Sequence, residues 1–259
     1  MPEFVVPDSP ALESITHRIA ASTVGPHSFL TLPHLIRLFQ EAALINTDHL
    51  GISSRELTQE LGLTWVLHRQ VIDAERWPRI GERVRVLTLP TRVERQLITY
   101  RDFYLLDGND RPMVRSTSAW SVMSLDSRRI RPIPERVTNR ITGWPDPEQQ
   151  LSSPGEKPEP PTESADERTF RVGFSHLDFN NHLTNPAFPE LMLEPLGLDF
   201  LSGHLPLHAD IAYQREARYG EMLVARTSAT APATEFAHAL YRNEGELLAS
   251  MRSQWTPLK

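Results

Sequence analysis

The sequence predicts an α+β protein made of two copies of one unit, each a long helix wrapped by a curved antiparallel sheet. Three observations point there: short motifs recur in order, each copy opens on a helical hydrophobic pattern, and each continues into several runs of strand alternation. Leu30, Thr31 and Pro33 match Leu183, Thr184 and Pro186 at an offset of 153. Arg79-Ile-Gly-Glu82 matches Arg218-Tyr-Gly-Glu221 at 139, and Ser118-x-Trp120 matches Ser253-x-Trp255 at 135. The offset only shrinks, so the second copy is the first with shorter loops.

In the first copy Thr31 caps a helix carrying Leu35, Leu38, Phe39, Ala42 and Ile45 at helical spacing, and Gly51 follows its end. Alternation predicts strands over 65–72, 84–89, 97–106 and 113–125, with Asp107–Asp110 as a turn. Between Trp144 and Arg168 lie six prolines and almost no large apolar residue, a composition that predicts an exposed linker. In the second copy Asn185 stands before Pro186 as an N-cap followed by a first-turn proline, and Phe188, Leu191 and Met192 continue the helix. Strands are expected over 207–213, 221–229, 235–241 and 247–255, with the Arg242–Gly245 stretch as a turn. The expected division is an N-terminal unit (1–143), a linker (144–168) and a C-terminal unit (169–259). An apolar helix wrapped by a sheet, twice in one chain, is a double hot-dog fold. The two copies can pair internally, so the expectation is a monomer acting as a pseudo-dimer, or a homodimer of such chains.

The 259 residues carry 27 Lys+Arg against 33 Asp+Glu, a net charge of −6. That balance argues against nucleic-acid binding, which usually needs a basic stripe. The apolar run over 35–50 is interrupted by Arg37, Glu41 and Asp48, so no membrane span is expected. The acidic N-terminal stretch lacks the basic region of a secretory signal, and the default expectation is a cytoplasmic protein. With no cysteine there is no disulfide, no Cys-ligated metal and no thiolate nucleophile. His204-x₃-His208-x-Asp210 has spacing compatible with a divalent metal, but no third and fourth ligand pattern follows, and neither metal nor cofactor is expected.

The copies differ most just before their helices. The second carries Asp178-Phe-Asn180-Asn-His182 where the first has Gly25, His27 and Phe29. An acid, an amide and an imidazole kept in one copy alone point to a single working site. An Asx-rich turn that merely caps the helix is an equally weighted alternative on spacing. Asp-x-Asn-x-His leading into a helix, followed by Tyr213-Gln-Arg215-Glu216, resembles the acyl-acyl-carrier-protein thioesterases of fatty-acid synthesis. The stretch Met123–Pro134, with Arg128 and Arg129 adjacent, resembles the end of that family's first domain. Two departures stand out. Ala217 occupies the position where plant members have a cysteine, which removes a Cys-centred scheme and favours water as nucleophile. The family's His-Val-Asn-Asn is here His182-Leu183-Thr184-Asn185.

The resemblance implies hydrolysis of acyl-carrier-protein thioesters, releasing free fatty acid and ending chain elongation. It implies catalytic roles for Asp178, Asn180, His182 and Glu216. Glu216 with His182 would activate water, Asn180 would hold the imidazole or donate to the thioester oxygen, and Asp178 would orient the set. It also implies an acyl tunnel in the N-terminal unit, for which Phe39, Ala42, Trp65, Leu67 and Trp120 are the candidate lining. Core packing is the better prior for any one of these five. The basic run Arg128, Arg129, Arg131 and Arg136 would meet the acidic carrier protein, although a solvated turn explains it more simply. An acyl-CoA thioesterase of the same fold and a non-catalytic acyl-binding module are the alternatives.

Overall fold

The computed structural model describes residues 4–161, 166–230, 234–242 and 245–258. In its first half lie β1 (Glu13–Arg18), α1 (Leu32–His49), α2 (Ser54–Leu61), β2 (Leu63–Ala74), β3 (Arg83–Glu94), β4 (Ile98–Leu106), β5 (Pro112–Ser124), β6 (Ile130–Arg131) and α3 (Glu135–Thr138). The second half holds β7 (Asp166–Arg171), α4 (Ala187–Leu193), α5 (Gly197–Gly203), β8 (His204–Tyr213), β9 (Met222–Thr230), β10 (Glu235–Arg242) and β11 (Leu247–Pro257). One antiparallel sheet runs β1-β3-β4-β5-β2-β8-β11-β10-β9-β7, with β6 attached to β5. The order is a palindrome of the two copies about the β2–β8 seam, where Arg69 to Asp73 pair with Ala212 to His208. The double hot-dog expectation is therefore met as one continuous sheet. Of the expected turn after 241, Asn243 and Glu244 lie outside the described residues.

The helix α1 buries Leu35, Ile36, Phe39, Ala42 and Asn46 on one face, as 3.6-residue spacing requires. Thr31 stands at its N-cap, but its hydroxyl pairs with His34 Nδ1 (2.8 Å) rather than with a helix N–H. Gly51 turns the chain away at φ 67°. The short α2 was not anticipated, although Ser53-x-x-Glu56 is a capping box and the Glu56 carboxylate accepts from the Ser53 N–H at 2.9 Å. In the second half the expected single helix is broken into α4, a 3-10 turn (Glu194–Leu196) and α5. Pro195 removes a helical donor and Gly197 sits at φ 79°, so the helix cannot continue through them. The N-cap position there is Pro186 rather than Asn185, and it carries no side-chain capping bond. Residues of α1 and α4 enter one apolar core with strands of both halves.

The composition-based linker is corrected at its end: Asp166–Arg168 belong to β7, a charged edge strand that reads as linker because nearly all its side chains are exposed. The described part of the linker is mostly exposed, yet it is strapped to the sheet. The Leu151 N–H donates to Asp102 (2.8 Å), Ser250 Oγ donates to the Pro158 carbonyl (2.7 Å), and Arg69 donates to the Glu156 carbonyl.

Asp102 is fully buried, and burial raises its carboxyl to about 6 against the opposing pull of the Leu151 N–H, Thr117, Arg92 and Arg101. The native state therefore holds this proton more tightly than the unfolded chain does. Its contribution to stability falls as pH rises from about 4 to about 6. Asp102→Asn keeps the acceptor for Leu151 without the buried charge. It should stabilise the protein above pH 6 by on the order of 1–3 kcal/mol, with the gain vanishing toward pH 4. Thermal denaturation of both proteins across that range checks the sign; a constant difference would contradict it.

Candidate active site

The loop before each helix has the same backbone in both halves. Gly25 and Phe29 pair as Asp178 and His182 do (N–H to carbonyl, 3.0 and 2.8 Å). Ser28 and Asn181 both take left-handed φ values, 66° and 61°. The bridge Phe29–Arg79 recurs as His182–Arg218. What differs is the side chains. In the first half the His27 ring accepts from the Phe29 N–H (3.0 Å), and a Cβ on Gly25 would meet that ring at 3.0 Å. In the second, Asp178 Oδ1 accepts from the N–H groups of Asn180 (2.8 Å) and His182 (3.0 Å). Asp178 thus makes the Asx turn that spacing left open, and by doing so it fixes the two residues that follow it.

His182 Nε2 lies 3.3 Å from Glu216 Oε2. Glu216 is brought there because Leu183 donates its N–H to the Ala217 carbonyl (2.7 Å) and Arg242 Nη2 donates to the Glu216 carbonyl (2.9 Å). The same carboxylate oxygen is paired with Arg128. Arg128 comes from the turn after β5, at φ 55°, so the first half reaches into the second half's acid–imidazole pair. The sequence offers Arg128 as part of a solvated basic turn or a carrier-protein contact, and neither reading anticipates this pairing. Its contact with Glu216, 88 residues away, has no local signal. Asn180 makes no side-chain bond to His182 among the described residues, and the nearest acidic group to the imidazole is Glu216.

A cavity of about 390 Å³ lies between α1 and the first-half sheet and opens on this loop. Gln40, Ala43, Leu44 and Thr47 line it from α1, and Trp65, Tyr100, Arg101 and Trp120 from the sheet. Asp178, Phe179, Asn180, Thr184 and Asn185 line it from the second half. The two tryptophans satisfy their N–H groups elsewhere, Trp65 on the Ile52 carbonyl (2.7 Å) and Trp120 on Ser118 Oγ (2.8 Å), so each offers the cavity an apolar ring.

Of the five expected lining residues, Trp65 and Trp120 are at the cavity. Phe39, Ala42 and Leu67 are not; they pack in the core, Phe39 stacked on Phe103 with ring centroids 4.9 Å apart. The helix turns its deeply buried ridge to the core and an adjacent, half-exposed stripe (40, 43, 44, 47) to the cavity. Periodicity alone picks out the core-facing stripe rather than the one that lines the cavity. Arg129 and Arg131 are exposed, while Arg136 donates to the Glu60 carbonyl (3.1 Å). The three residues with metal-like spacing are engaged otherwise: His208 with Asp73 (2.7 Å), Asp210 with Arg69 (2.5 Å), and His204 with the Phe200 carbonyl (2.9 Å). No cluster of three or more metal-ligating side chains occurs among the described residues. None of the described helices is long and apolar enough to cross a membrane.

Comparison with known proteins bears on the whole chain. Two family models match it: the acyl-ACP thioesterase N-terminal domain over residues 15–141 and the C-terminal domain over 159–257. An oleoyl-acyl carrier protein thioesterase of Arabidopsis thaliana, chloroplastic by name, is 25% identical over 88% of this chain. The chain spans 66% of that relative's length. A crystal structure of an acyl-ACP thioesterase from Bacteroides thetaiotaomicron superimposes with a TM-score of 0.84 at 20% identity, covering 95% of this chain and 98% of that one. A crystal structure described as a putative oleoyl thioesterase from Lactobacillus plantarum gives 0.82 at 25% identity, covering 95% of each chain. The duplicated sheet, the cavity that opens on the Asp178–His182 loop and the match over both halves agree: the chain belongs to the acyl-ACP thioesterase family.

Proposed function

We propose that this chain hydrolyses the thioester of an acyl chain borne by acyl carrier protein, releasing the free acid and ending its elongation. One observation carries the reading: the apolar cavity of the first half opens on the loop that fixes His182 against Glu216. The acyl chain would lie along α1, with its thioester at Asp178–Asn180. Water, activated by the His182–Glu216 pair, adds to the carbonyl carbon and gives up its proton to that pair. The Asn180 amide donates to the oxyanion as it forms. Collapse breaks the carbon–sulfur bond, and the thiolate takes a proton back as it leaves. Asp178 acts through the loop backbone as a positioning residue, and Arg128 does the same for Glu216.

The carrier is part of this proposal, supported by the relatives' names and by the exposed Arg129 and Arg131 beside the site. One chain would suffice as the working unit, because the β2–β8 seam joins both halves of the site; sedimentation checks this. A cytoplasmic location belongs to the same proposal and is checked by fractionation. The function is tested by thiol release from matched acyl-carrier-protein and acyl-CoA thioesters, an assay to which the chain itself contributes no thiol because it has no cysteine. Faster release from the carrier-protein set is expected. Release from CoA substrates alone would make it an acyl-CoA thioesterase, and acyl binding without release would make it a binding module.

A further inference from the structure

The loop before the helix has one backbone in both halves, so the first half is a built-in control for what the second half adds there. A 3-10 turn leads into each loop, Ala21–Thr23 and Phe174–His176. A strand-connecting turn is tied to each in the same way: Gly81 donates its N–H to the Ile19 carbonyl (2.8 Å), and Gly220 to the Val172 carbonyl (2.9 Å). On this shared frame Phe174 stands where the first half has Ala21, Phe179 where it has Pro26, and Tyr219 where it has Ile80. An aromatic side chain therefore occupies three positions in the half that carries the acid–imidazole pair, and in that half alone.

The three residues are 85%, 79% and 64% exposed, so the core gains nothing from them. The apolar residues of the same segments, Val172, Leu183 and Ala217, are already buried without their help. Backbone contacts gather the three segments. The Gly220–Val172 bond sets the turn of Tyr219 against the segment that enters Phe174. The Arg218–His182 bridge and the Leu183–Ala217 bond (2.7 Å) hold that turn against the loop of Phe179. Phe179 also lines the first-half cavity, which places the group beside its opening. Single exposed apolar residues are ordinary, but a gathered set beside a site marks a contact surface.

Charge narrows the partner. Arg171 and Arg218 are exposed beside Phe174 and Tyr219, and neither forms an ion pair among the described residues. The acids of these segments are taken up: Glu216 by Arg128, Glu221 by Arg242 (3.0 Å), and Asp178 by the N–H groups of its own loop. Exposed rings flanked by free arginines are the side chains that protein interfaces favour, and the cations call for an acidic partner.

We propose that Phe174, Phe179 and Tyr219, flanked by Arg171 and Arg218, form the surface on which the carrier protein docks, its acids on the arginines and its apolar contact on the rings. This rests on the reading that the chain cleaves a carrier-borne thioester. The thioester enters beside Phe179, so the protein that bears it must come to rest against this rim. The test compares an acyl-carrier-protein thioester with the pantetheine thioester of the same acyl chain. Both are given to the wild type, to the double variant Phe174→Ala with Tyr219→Ser, and to Arg171→Glu. The double variant should lose about 10-fold or more in kcat/KM on the carrier-borne substrate, mostly through KM, and stay within about twofold of wild type on the pantetheine substrate. Arg171→Glu should also lose on the carrier-borne substrate alone and show a flatter dependence on salt; it decides if the double variant does not fold. Equal losses on both substrates, or an undiminished carrier kcat/KM, would overturn the proposal. Vesicles of anionic phospholipid test the other occupant. Wild type that sediments with them, with sedimentation lost in a double variant whose carrier kcat/KM is unchanged, would overturn the proposal and make the rim a lipid-docking surface. Calorimetric titration with acyl carrier protein reads the contact without catalysis, so it decides even if no thioester is cleaved and the function above fails. Binding about 10-fold or more weaker in the double variant supports the inference; equal binding, or none by the wild type, overturns it.

Discussion

His182→Ala and Glu216→Gln should each lower kcat for thioester hydrolysis by about 10²–10⁴-fold while leaving the acyl-chain affinity nearly unchanged. The two side chains lie 3.3 Å apart, and neither lines the cavity, which reaches their loop through Asp178 and Asn180. Their loss removes proton transfer without removing apolar contact area. Glu216→Gln is the sharper of the two because it keeps the size of the side chain and removes the charge that pairs with Arg128 and His182. The two losses should not add, since each variant disables the same proton-transfer unit. Steady-state thiol release together with a binding measurement on the free acid separates the two effects. Activity within about threefold of wild type in either variant would place the chemistry on other residues.

Asp210→Ala should cost about 3–5 kcal/mol of stability, the range for removing one partner of a buried ion pair. Arg69 on β2 and Asp210 on β8 form a two-pronged pair across the central seam, Nε to Oδ1 at 2.5 Å and Nη2 to Oδ2 at 2.6 Å, with side chains only 6% and 5% exposed. The same guanidinium holds the strap through the Glu156 carbonyl. Truncating the acid leaves a buried, unpaired cation where the halves join. Replacing both residues by apolar ones, Arg69→Met with Asp210→Leu, should recover most of the loss, because the destabilisation comes from the orphaned charge. Denaturant unfolding of the single and double variants decides this; a double variant no more stable than Asp210→Ala would contradict it.

Much of the fold was legible because duplication and alternation are physical patterns written in residue order. Motif offsets aligned the two units, and eight strand runs were readable because one face of each had to be apolar. The edge strands β1 and β7 escaped notice, since their solvent-facing residues dilute the alternation and β7 is mostly charged. The break between α4 and α5 was written in Pro195 and Gly197, but the repeat argued for a continuous helix and concealed it. The loop Asp178–His182 was legible because its residue types contrast with Gly25, His27 and Phe29 in an otherwise matching frame. Residues whose roles depend on long-range placement were not legible. Arg128 meets Glu216 only because the two halves close on each other.

The central claim is that the first half holds the acyl chain and the second half cuts it. Ala43 lines the cavity from the half-exposed stripe of α1 and makes no hydrogen bond or ion pair with the loop that carries His182. Thiol release should be measured with the wild type and Ala43→Phe on saturated acyl-carrier-protein thioesters graded in chain length. Ala43→Phe should shift the preferred chain shorter by two or more carbons, with the shortest substrates still cleaved at near wild-type kcat. An unchanged chain-length profile would contradict it, because the acyl chain would then lie somewhere other than the cavity between α1 and the first-half sheet.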